Sequence, residues 1–173
     1  RYGGQERSYL ERFVVTEEML AVAAPCAAHW FGDRQIGPSL LRFGTEEQQR
    51  KYLPMLINGE KVASFAITEM DAGSDISRIQ TTAVLDGDHY ILNGVKIFIT
   101  NGDVAGTVIV LANIPHLGKK GMTAFIVDKG TPGFGRCCSA SRSSGAASVG
   151  SSRLKRLNSP STSAGAPRRY LAP

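Results

Sequence analysis

The sequence predicts an α+β fold with a helical layer over residues 1–59, an antiparallel β domain over residues 60–135 and a disordered basic tail over residues 136–173. Apolar residues recur at helical spacing before Gly59 and alternate with polar residues after it, which is typical of strands. The tail is rich in Ser, Arg, Ala and Gly and holds few large apolar side chains. Such a composition cannot offset an ordering cost of roughly 1–2 kcal/mol per residue, so we expect disorder there.

The first predicted helix lies within residues 8–24, where apolar side chains share one helical face. They are Leu10, Phe13, Val14, Leu20, Ala21 and Ala24. Glu17 interrupts this stripe, either as part of a structural ion pair or polar edge, or as a carboxylate that lines a cavity. A second helix is predicted from Pro38 to Phe43, because Gly44 follows it as a stop signal.

The third predicted helix begins at Thr45, which starts a capping box that ends at Gln48. It extends to about Ile57, and the Asn58-Gly59 pair ends it. Pro54 lies inside this helix, and we expect it to kink or shorten the helix.

Six strands are predicted after Gly59. They cover Val62–Thr68, Thr81–Leu85, His89–Leu92, Val95–Thr100, Thr107–Ala112 and Thr123–Val127. Asp86-Gly87 and Asn93-Gly94 are typical of type I′ hairpin turns, which need positive φ angles. The predicted domain is therefore an antiparallel sheet built partly from hairpins.

Composition excludes several classes of protein. The 173-residue chain is 42% apolar, enough for a core, but it has neither an eighteen-residue apolar stretch nor a secretory signal pattern. Three cysteines without metal-ligand spacing argue against a disulfide framework and a metal site, so we expect a cytoplasmic location. The chain starts with Arg1 rather than Met, so we expect the true N-terminus to lie upstream.

The formal charge of +5 arises from the tail. Residues 1–128 hold 12 basic and 15 acidic residues, whereas residues 129–173 hold eight basic and no acidic ones. Three interpretations of the tail stay open: a solvated segment without a partner, an arm that binds nucleic acid phosphates, or out-of-frame translation after Phe134-Gly135. No aromatic residues alternate with the basic ones, which disfavours a nucleic acid partner.

The most specific segment is FAITEMDAGSD, residues 65–75. A strand ends inside it, and the N–H groups and hydroxyls of the following loop can form a nest for a pyrophosphate, with Gly73 allowing close approach. The carboxylates of Glu69, Asp71 and Asp75 would repel a phosphate unless they point away. From the residues alone, a plain turn between strands is the alternative.

The stretch AITEMDAGSD resembles the first signature of the acyl-CoA dehydrogenase family, which has a Thr-Glu-x-x-x-Gly-Ser-Asp core. It departs from the family pattern at Arg78, where a small residue is usual. Four further segments resemble the family in the same order: RYGGQ, FGTEEQQRKYLPMLINGE, LNGVKIFITNG and GMTAFIVDKGTPGFG. The five segments cover residues 2–135, and the chain is identified as a member of this family.

The resemblance implies that FAD is the cofactor and that the first signature wraps it. Thr68 is then expected to hydrogen-bond the isoalloxazine ring, with Phe65 and Ile67 flanking that ring. Ser74 is expected beside the FAD pyrophosphate, where it also meets the CoA part of the substrate, and Gly73 admits the phosphates next to it.

A second flavin motif is implied at Phe98-Ile99-Thr100. Phe98 stands where the family more often has a Trp that packs on the flavin, and Thr100 is expected to place its hydroxyl near N5. A flavin needs an apolar plane, hydroxyls at its polar edge and donors at its phosphates, and these residue types provide them. Taken alone, Phe98 and Ile99 are also explained by alternation on a strand.

The resemblance further implies α,β-dehydrogenation of a fatty acyl-CoA thioester with hydride transfer to FAD, an electron-transfer acceptor, and a homo-oligomer at full length. The family's base is a Glu in a C-terminal helical bundle, which we expect outside this chain. No catalytic residue is therefore assigned, Glu69 being a motif residue, and apolar faces that the bundle would cover are expected to be exposed. The alternatives are a non-catalytic fragment that binds flavin or CoA, and a flavin oxidase or monooxygenase of the same fold.

Overall fold

The structure, a computed structural model, describes residues 2–136 and 147–154. Its helices are α1 (Tyr9–Ala21), α2 (Ala27–Phe31), a π-helical turn (Gly32–Ile36), α3 (Gly37–Phe43) and α4 (Glu46–Ile57). Its strands are β1 (Ala63–Ala66), β2 (Thr82–Asp86), β3 (His89–Lys96), β4 (Thr107–Asn113), β5 (Met122–Asp128), β6 (Phe134–Arg136) and β7 (Ala147–Leu154). Two 3₁₀ helices cover Ile76–Arg78 and Pro115–Lys120. The predicted order, a helical part followed by a β domain, is confirmed.

Helix α4 confirms the predicted capping box. The backbone N–H of Gln48 donates to the Thr45 hydroxyl at 3.2 Å, and the Gln48 side chain accepts from the Thr45 N–H at 2.9 Å. The helix runs through Pro54 and ends at Ile57, the predicted end, so of the two expected effects of Pro54, a kink or a shortening, the shortening is wrong. Tyr52 and Leu53, the two residues before the proline, are buried, and this packing holds the last turn despite the missing hydrogen bond.

Helix α1 forms at the predicted place, yet none of its residues is buried. Phe13 and Leu10 of the apolar stripe are 62% and 72% exposed. Glu17 is exposed as well, so neither a buried ion pair nor a cavity explains its position in the stripe. The apolar face that the sequence predicted for α1 therefore exists, and it faces solvent in the part of the chain that the structure describes.

The strands form one sheet in the order β1-β4-β2-β3-β7-β6, with β5 added beside β4. Strands β1 and β2 both pair with β4 in parallel, whereas β2 pairs with β3 and β4 with β5 antiparallel. The expectation of a purely antiparallel sheet is therefore wrong. The long connection from β1 to β4 returns in the same direction, which a short hairpin cannot do.

The predicted hairpin at Asp86-Gly87 is confirmed, because Asp86 pairs with His89 across the turn and Gly87 has a φ of 61°. The second predicted hairpin, at Asn93-Gly94, is wrong: both residues lie inside the continuous strand β3 at a register shift. A side chain on Gly94 would bring its Cβ within 2.6 Å of the Thr81 Cβ. This glycine is needed for a close approach rather than for a turn.

Part of the tail also differs from expectation. Residues 147–154, expected to be disordered, form β7 and pair with β3 through the register Tyr90 to Leu154 and Lys96 to Ala147. The free edge of β3 offers a row of N–H and C=O groups that can bind a strand through its backbone alone, whatever its side chains. The predictions for residues 137–146 and 155–173 fall outside the described residues.

Two hydrophobic clusters form the core within the described residues. One lies within the β domain and includes Leu92, Ile99 and Phe125. The other joins the helical layer to the sheet through Leu40 and Leu53, among others. No helix in the described ranges is long and apolar enough to cross a membrane.

Candidate functional site

The first proposed flavin motif continues from the end of β1. Phe65 lies on β1 and is half-buried, and Ile67 and Thr68 follow the strand with part of their surface exposed. A tight turn comes next, in which the Glu69 N–H donates to the Ala72 carbonyl at 2.9 Å and the Ala72 N–H returns a bond at 3.3 Å. The motif is therefore an ordered loop anchored on strand β1.

The second proposed motif begins where β3 ends. Phe98 has a φ of 55° and a side chain that is 71% exposed. A non-glycine residue in this left-handed region costs roughly 1–3 kcal/mol, and such strain is concentrated at functional sites. Thr100 is exposed, whereas Ile99 is buried in the core of the β domain. The expected strand Val95–Thr100 thus ends at Lys96, and the bend turns Phe98 to the surface.

The structure brings the two motifs side by side. The Ile97 N–H donates to the Thr68 carbonyl at 2.9 Å. The buried Ser64 hydroxyl on β1 donates to the Thr100 carbonyl at 2.6 Å. Thr68 and Thr100 therefore lie on two segments, residues 64–68 and 97–100, that are hydrogen-bonded to each other.

Asn101 connects the second motif to the helical layer. Its side-chain amide donates to the carbonyl oxygens of Ala27 at 3.2 Å and Ala63 at 3.5 Å. Its φ of 63° lies in the left-handed region that tight turns use. The additional contacts show that the turn is fixed against both α2 and β1.

A buried ion pair lies directly behind the two motifs. Lys96 Nζ is 2.7 Å from Glu69 Oε1, and the two side chains are 0% and 8% exposed. Lys96 also donates to the Ile67 carbonyl at 3.0 Å. Glu69 accepts from the N–H groups of Gln80 at 2.6 Å and Thr81 at 3.0 Å, and from the Thr81 hydroxyl. One carboxylate therefore receives four hydrogen bonds.

Both members of this pair are shifted from their ordinary pKa. Burial would raise the pKa of the Glu69 carboxyl, but the hydrogen bonds from Lys96, Thr81 and the Gln80 backbone outweigh it and hold that pKa below its usual value. Burial lowers the pKa of Lys96, and Glu69 offsets this only in part. A carboxylate with a lowered pKa and four donors is poorly suited to accept a substrate proton.

Lys96 was missed by sequence reasoning. Lys96 lies four residues after Leu92 on β3, so the two side chains point to the same face of the strand. Leu92 is fully buried, and the alternation of the strand therefore predicts that Lys96 points into the core as well. Lysine is rarely fully buried unless it is paired, and its partner Glu69 is 27 residues away in the sequence. Only the fold shows that the two charges meet.

The other loop carboxylates also have partners within the chain. Asp71 accepts from the Gln80 side chain at 3.2 Å. Asp75 accepts from the Ser77 hydroxyl at 2.6 Å and the Ser77 N–H at 3.0 Å, and these bonds lower the pKa of the Asp75 carboxyl. The repulsion that these acids would exert on a phosphate is therefore reduced, most of all at Glu69, which Lys96 neutralises.

The apex of the loop is open. Gly73 and Ser74 are exposed, and a Cβ added to Gly73 would meet no atom within 4 Å. With the exposed ring of Phe98 and the hydroxyls of Thr68 and Thr100, this arrangement offers an apolar plane, polar groups for a ring edge and free space at a hydroxyl. The residues present therefore fit a flavin nucleotide.

A cavity of about 700 Å³ lies between the helical layer and β1. Leu41, Leu53 and Ile57 line it together with the polar His29 and Asp33. None of the eight predicted flavin contacts lines this cavity, so it is separate from the two motifs. No cluster of three His, Cys, Asp or Glu side chains that could hold a metal ion is found within the part of the chain that the structure covers.

Comparisons with known proteins agree with this arrangement. The family model of the acyl-CoA dehydrogenase N-terminal domain matches residues 1–60, and that of the middle domain matches residues 64–156. The latter match extends into the tail, past the point where the recognisable motifs end. A short-chain-specific acyl-CoA dehydrogenase of Clostridium acetobutylicum is 43% identical over 135 residues, which are 77% of this chain and 36% of that relative.

Solved structures are similar over most of the chain. The acyl-CoA dehydrogenase from Geobacillus kaustophilus superposes with a TM-score of 0.81 at 32% identity, covering 91% of this chain and 44% of that one. A glutaryl-CoA dehydrogenase from Mycobacterium smegmatis in complex with FADH2 gives a TM-score of 0.63 at 32% identity, covering 70% of this chain and 33% of that one. The chain thus spans between about a third and somewhat under half of the length of these proteins.

Proposed function

The chain belongs to the acyl-CoA dehydrogenase family, and on that premise we propose that it forms the flavin-binding region of an FAD-dependent oxidoreductase that dehydrogenates acyl-CoA thioesters. The observation that carries this proposal is the hydrogen bond from the Ile97 N–H to the Thr68 carbonyl, which joins the two motifs. Because the chain covers only about a third of its curated relative, the activity is proposed for the whole protein of which these residues are a part.

Each motif residue has a role in this proposal. Thr68 and Thr100 place hydroxyls at the polar edge of the flavin ring, and the exposed ring of Phe98 packs on its plane. Phe65 and Ile67 flank the ring, and Ile99 anchors the second motif from within the core. When bound, FAD supplies the acceptor for the hydride that leaves the β-carbon of the substrate.

The loop apex is the proposed contact for the charged part of the ligands. Ser74, with Gly73 beside it, is exposed and lies next to open space. It would donate its hydroxyl to the FAD pyrophosphate and also meet the CoA part of the substrate. Glu69 is not the base, because its carboxylate is buried and already accepts four hydrogen bonds.

Two further partners complete the proposal: a protein or small molecule that accepts electrons from the reduced flavin, and a second copy of the chain in a homo-oligomer. The exposed apolar side chains of α1, such as Phe13 and Leu10, support an additional packing partner, because soluble proteins rarely leave such a face in water. Fatty acyl-CoA thioesters are the proposed substrates.

Phe98→Ala tests the flavin site, and Phe13→Ala is its matched control, since both rings are mostly exposed. The purified protein is titrated with FAD, and binding is followed by the visible absorbance that stays with the protein after gel filtration. Loss of the Phe98 ring should weaken FAD binding roughly tenfold, whereas Phe13→Ala should leave it unchanged.

Substrate turnover is tested on the whole protein of which this chain is a part, because the base is expected outside the chain. Acyl-CoA is added to that FAD-loaded protein without oxygen. Bleaching of the flavin that is reversed by an artificial electron acceptor supports a dehydrogenase. If oxygen is then admitted to the bleached protein, its rapid consumption would instead support a flavin oxidase. Failure of the unmodified protein to retain any FAD would contradict the proposed function.

A further inference from the structure

We propose that Glu69 and Lys96 form a positioning pair that fixes the two flavin motifs in register with each other. This inference rests on the proposed function, because it assigns a role in flavin binding to residues that lie behind the motif contacts. Neither side chain is exposed enough to touch a ligand directly, since Lys96 is 0% and Glu69 is 8% exposed. They would act through the backbone segments that they hold.

Lys96 joins the first motif to the second. It is the last residue of β3 and immediately precedes the segment that carries Phe98. From there its ammonium group donates to the Ile67 carbonyl at 3.0 Å and pairs with Glu69 at 2.7 Å. The neighbouring bond from the Ile97 N–H to Thr68 lies in the same small region, so displacement of Lys96 would affect both motifs.

Glu69 closes the loop that carries Ser74. Its carboxylate binds the backbone N–H groups of Gln80 and Thr81, which lie 11 and 12 residues further along the chain. The loop between these points includes the open apex at Gly73 and Ser74. One side chain thus clamps both ends of the loop, and the clamp sets how far the apex lies from the ring contacts.

The approach of Thr81 to Glu69 depends on Gly94. Because Gly94 has no side chain, the Thr81 side chain can pack directly over β3, where a Cβ would come within 2.6 Å of it. The register shift between Leu92 and Gly94 lies at the same place. The glycine and the register shift are both unfavourable for a regular strand, and here they bring Thr81 to the Glu69 carboxylate.

A charged pair suits this role better than an apolar one. A buried ion pair is often no more stabilising than apolar residues of similar volume, because both charges lose their hydration. Its bonds are directional, however, and a carboxylate that accepts four hydrogen bonds at fixed positions specifies the geometry of four donors. Apolar packing at the same place would fill the space without fixing the register.

Glu69→Gln tests the pair, because glutamine keeps the shape but has only one acceptor oxygen and adds donors that face the donors of Gln80 and Thr81. Asp71→Asn is the matched control: it removes the same charge from the same loop, at an exposed side chain. We expect Glu69→Gln to raise the Kd for FAD at least tenfold and to blur the fine structure of the bound flavin spectrum. Asp71→Asn should leave both unchanged.

A second readout does not need FAD. Hydrogen exchange in the protein without flavin should be about tenfold faster at Ile97 in Glu69→Gln, although the Ile97 N–H donates to Thr68 and not to Glu69. This acceleration should exceed any at Val110 in the core, which reports the loss of overall stability. Thr81→Val, which removes one hydroxyl bond, should shift both readouts in the same direction by a smaller factor. If Glu69→Gln does not fold, Thr81→Val is used to test the proposal instead.

The outcomes separate the two proposals. If the unmodified protein binds no FAD, the proposed function fails, and the exchange rate of Ile97 still decides whether the pair sets the register. If FAD binds, and the affinity, the flavin spectrum and Ile97 exchange are the same in the unmodified protein and in folded Glu69→Gln or Thr81→Val, the positioning role is wrong.

Discussion

Two regions of this chain contain a lysine and a carboxylate at the same distance, 2.7 Å, in very different surroundings. Lys96 and Glu69 lie inside the β domain and are 0% and 8% exposed, whereas Lys51 on α4 and Asp128 on β5 are 55% and 31% exposed. The first pair joins two segments behind the proposed flavin site. The second joins the helical layer to the sheet.

Distance alone therefore does not determine how much an ion pair contributes to the free energy of unfolding. Water and salt screen the exposed pair, so breaking it costs little. Removing one member of the buried pair leaves a charge that water cannot reach, which is much more costly. Asp128 also accepts from the hydroxyls of Tyr52 at 3.1 Å and Thr107 at 3.0 Å, so it keeps partners even without its lysine.

The largest effect should come from Lys96→Met. It leaves the Glu69 carboxylate buried without its cation, and we expect a loss of about 3–5 kcal/mol in the free energy of unfolding. Denaturant titration followed by circular dichroism measures it. Replacing both members, in Lys96→Met with Glu69→Leu, should recover part of the loss, because no charge then stays buried. A loss below about 1 kcal/mol for the single variant would show that Glu69 is not ionised in the folded chain.

Features that depend on neighbouring residues could be predicted from the sequence, whereas contacts between distant residues, such as the two ion pairs, could not. The capping box from Thr45 to Gln48, the hairpin at Asp86-Gly87 and the positions of most strands follow from local patterns, and the structure confirms them. Local patterns failed where a distant residue decides the outcome. The local pattern predicts a turn at Asn93-Gly94, but Thr81 requires the glycine inside a strand.

The same limit applies to the candidate site. The motif residues Thr68, Ser74 and Phe98 were found by resemblance, and their flavin contacts stay a prediction. The resemblance did not show the backbone strain at Phe98 or the ion pair behind the motifs, because these depend on how β1 and β3 lie relative to each other. The parallel pairing of β1 with β4 was missed for the same reason.

A smaller effect is expected on acidification, which acts on both pairs at once. The pKa values of Glu69 and Asp128 are both lowered in the folded chain: burial alone would raise them, but Lys96 at Glu69 and Lys51 with Thr107 at Asp128 outweigh it. The unfolded chain therefore takes up protons first as the pH falls below about 4.5, the ordinary value for Glu. Stability that is fully present near neutral pH is lost through this range.

Unfolding titrations at a series of acidic pH values measure this loss. Glu69→Gln should flatten the acid dependence at least as much as Asp128→Asn, because the carboxylate of Glu69 is the more buried of the two. Equal pH dependence in the unmodified protein and in both variants would mean that neither pair governs the acid sensitivity.

The smallest effect should come from Lys51→Met. The Lys51 side chain is half exposed and Asp128 keeps two hydroxyl donors, so we expect a loss of about 0–1 kcal/mol in the free energy of unfolding. Salt separates this pair from the buried one: raising the ionic strength should shrink the difference between Lys51→Met and the unmodified protein while leaving that of Lys96→Met nearly unchanged. Denaturant titrations at low and high salt measure both differences. A Lys51→Met loss as large as that of Lys96→Met would mean that α4 depends on Asp128 for its docking, and that exposure does not rank the two pairs.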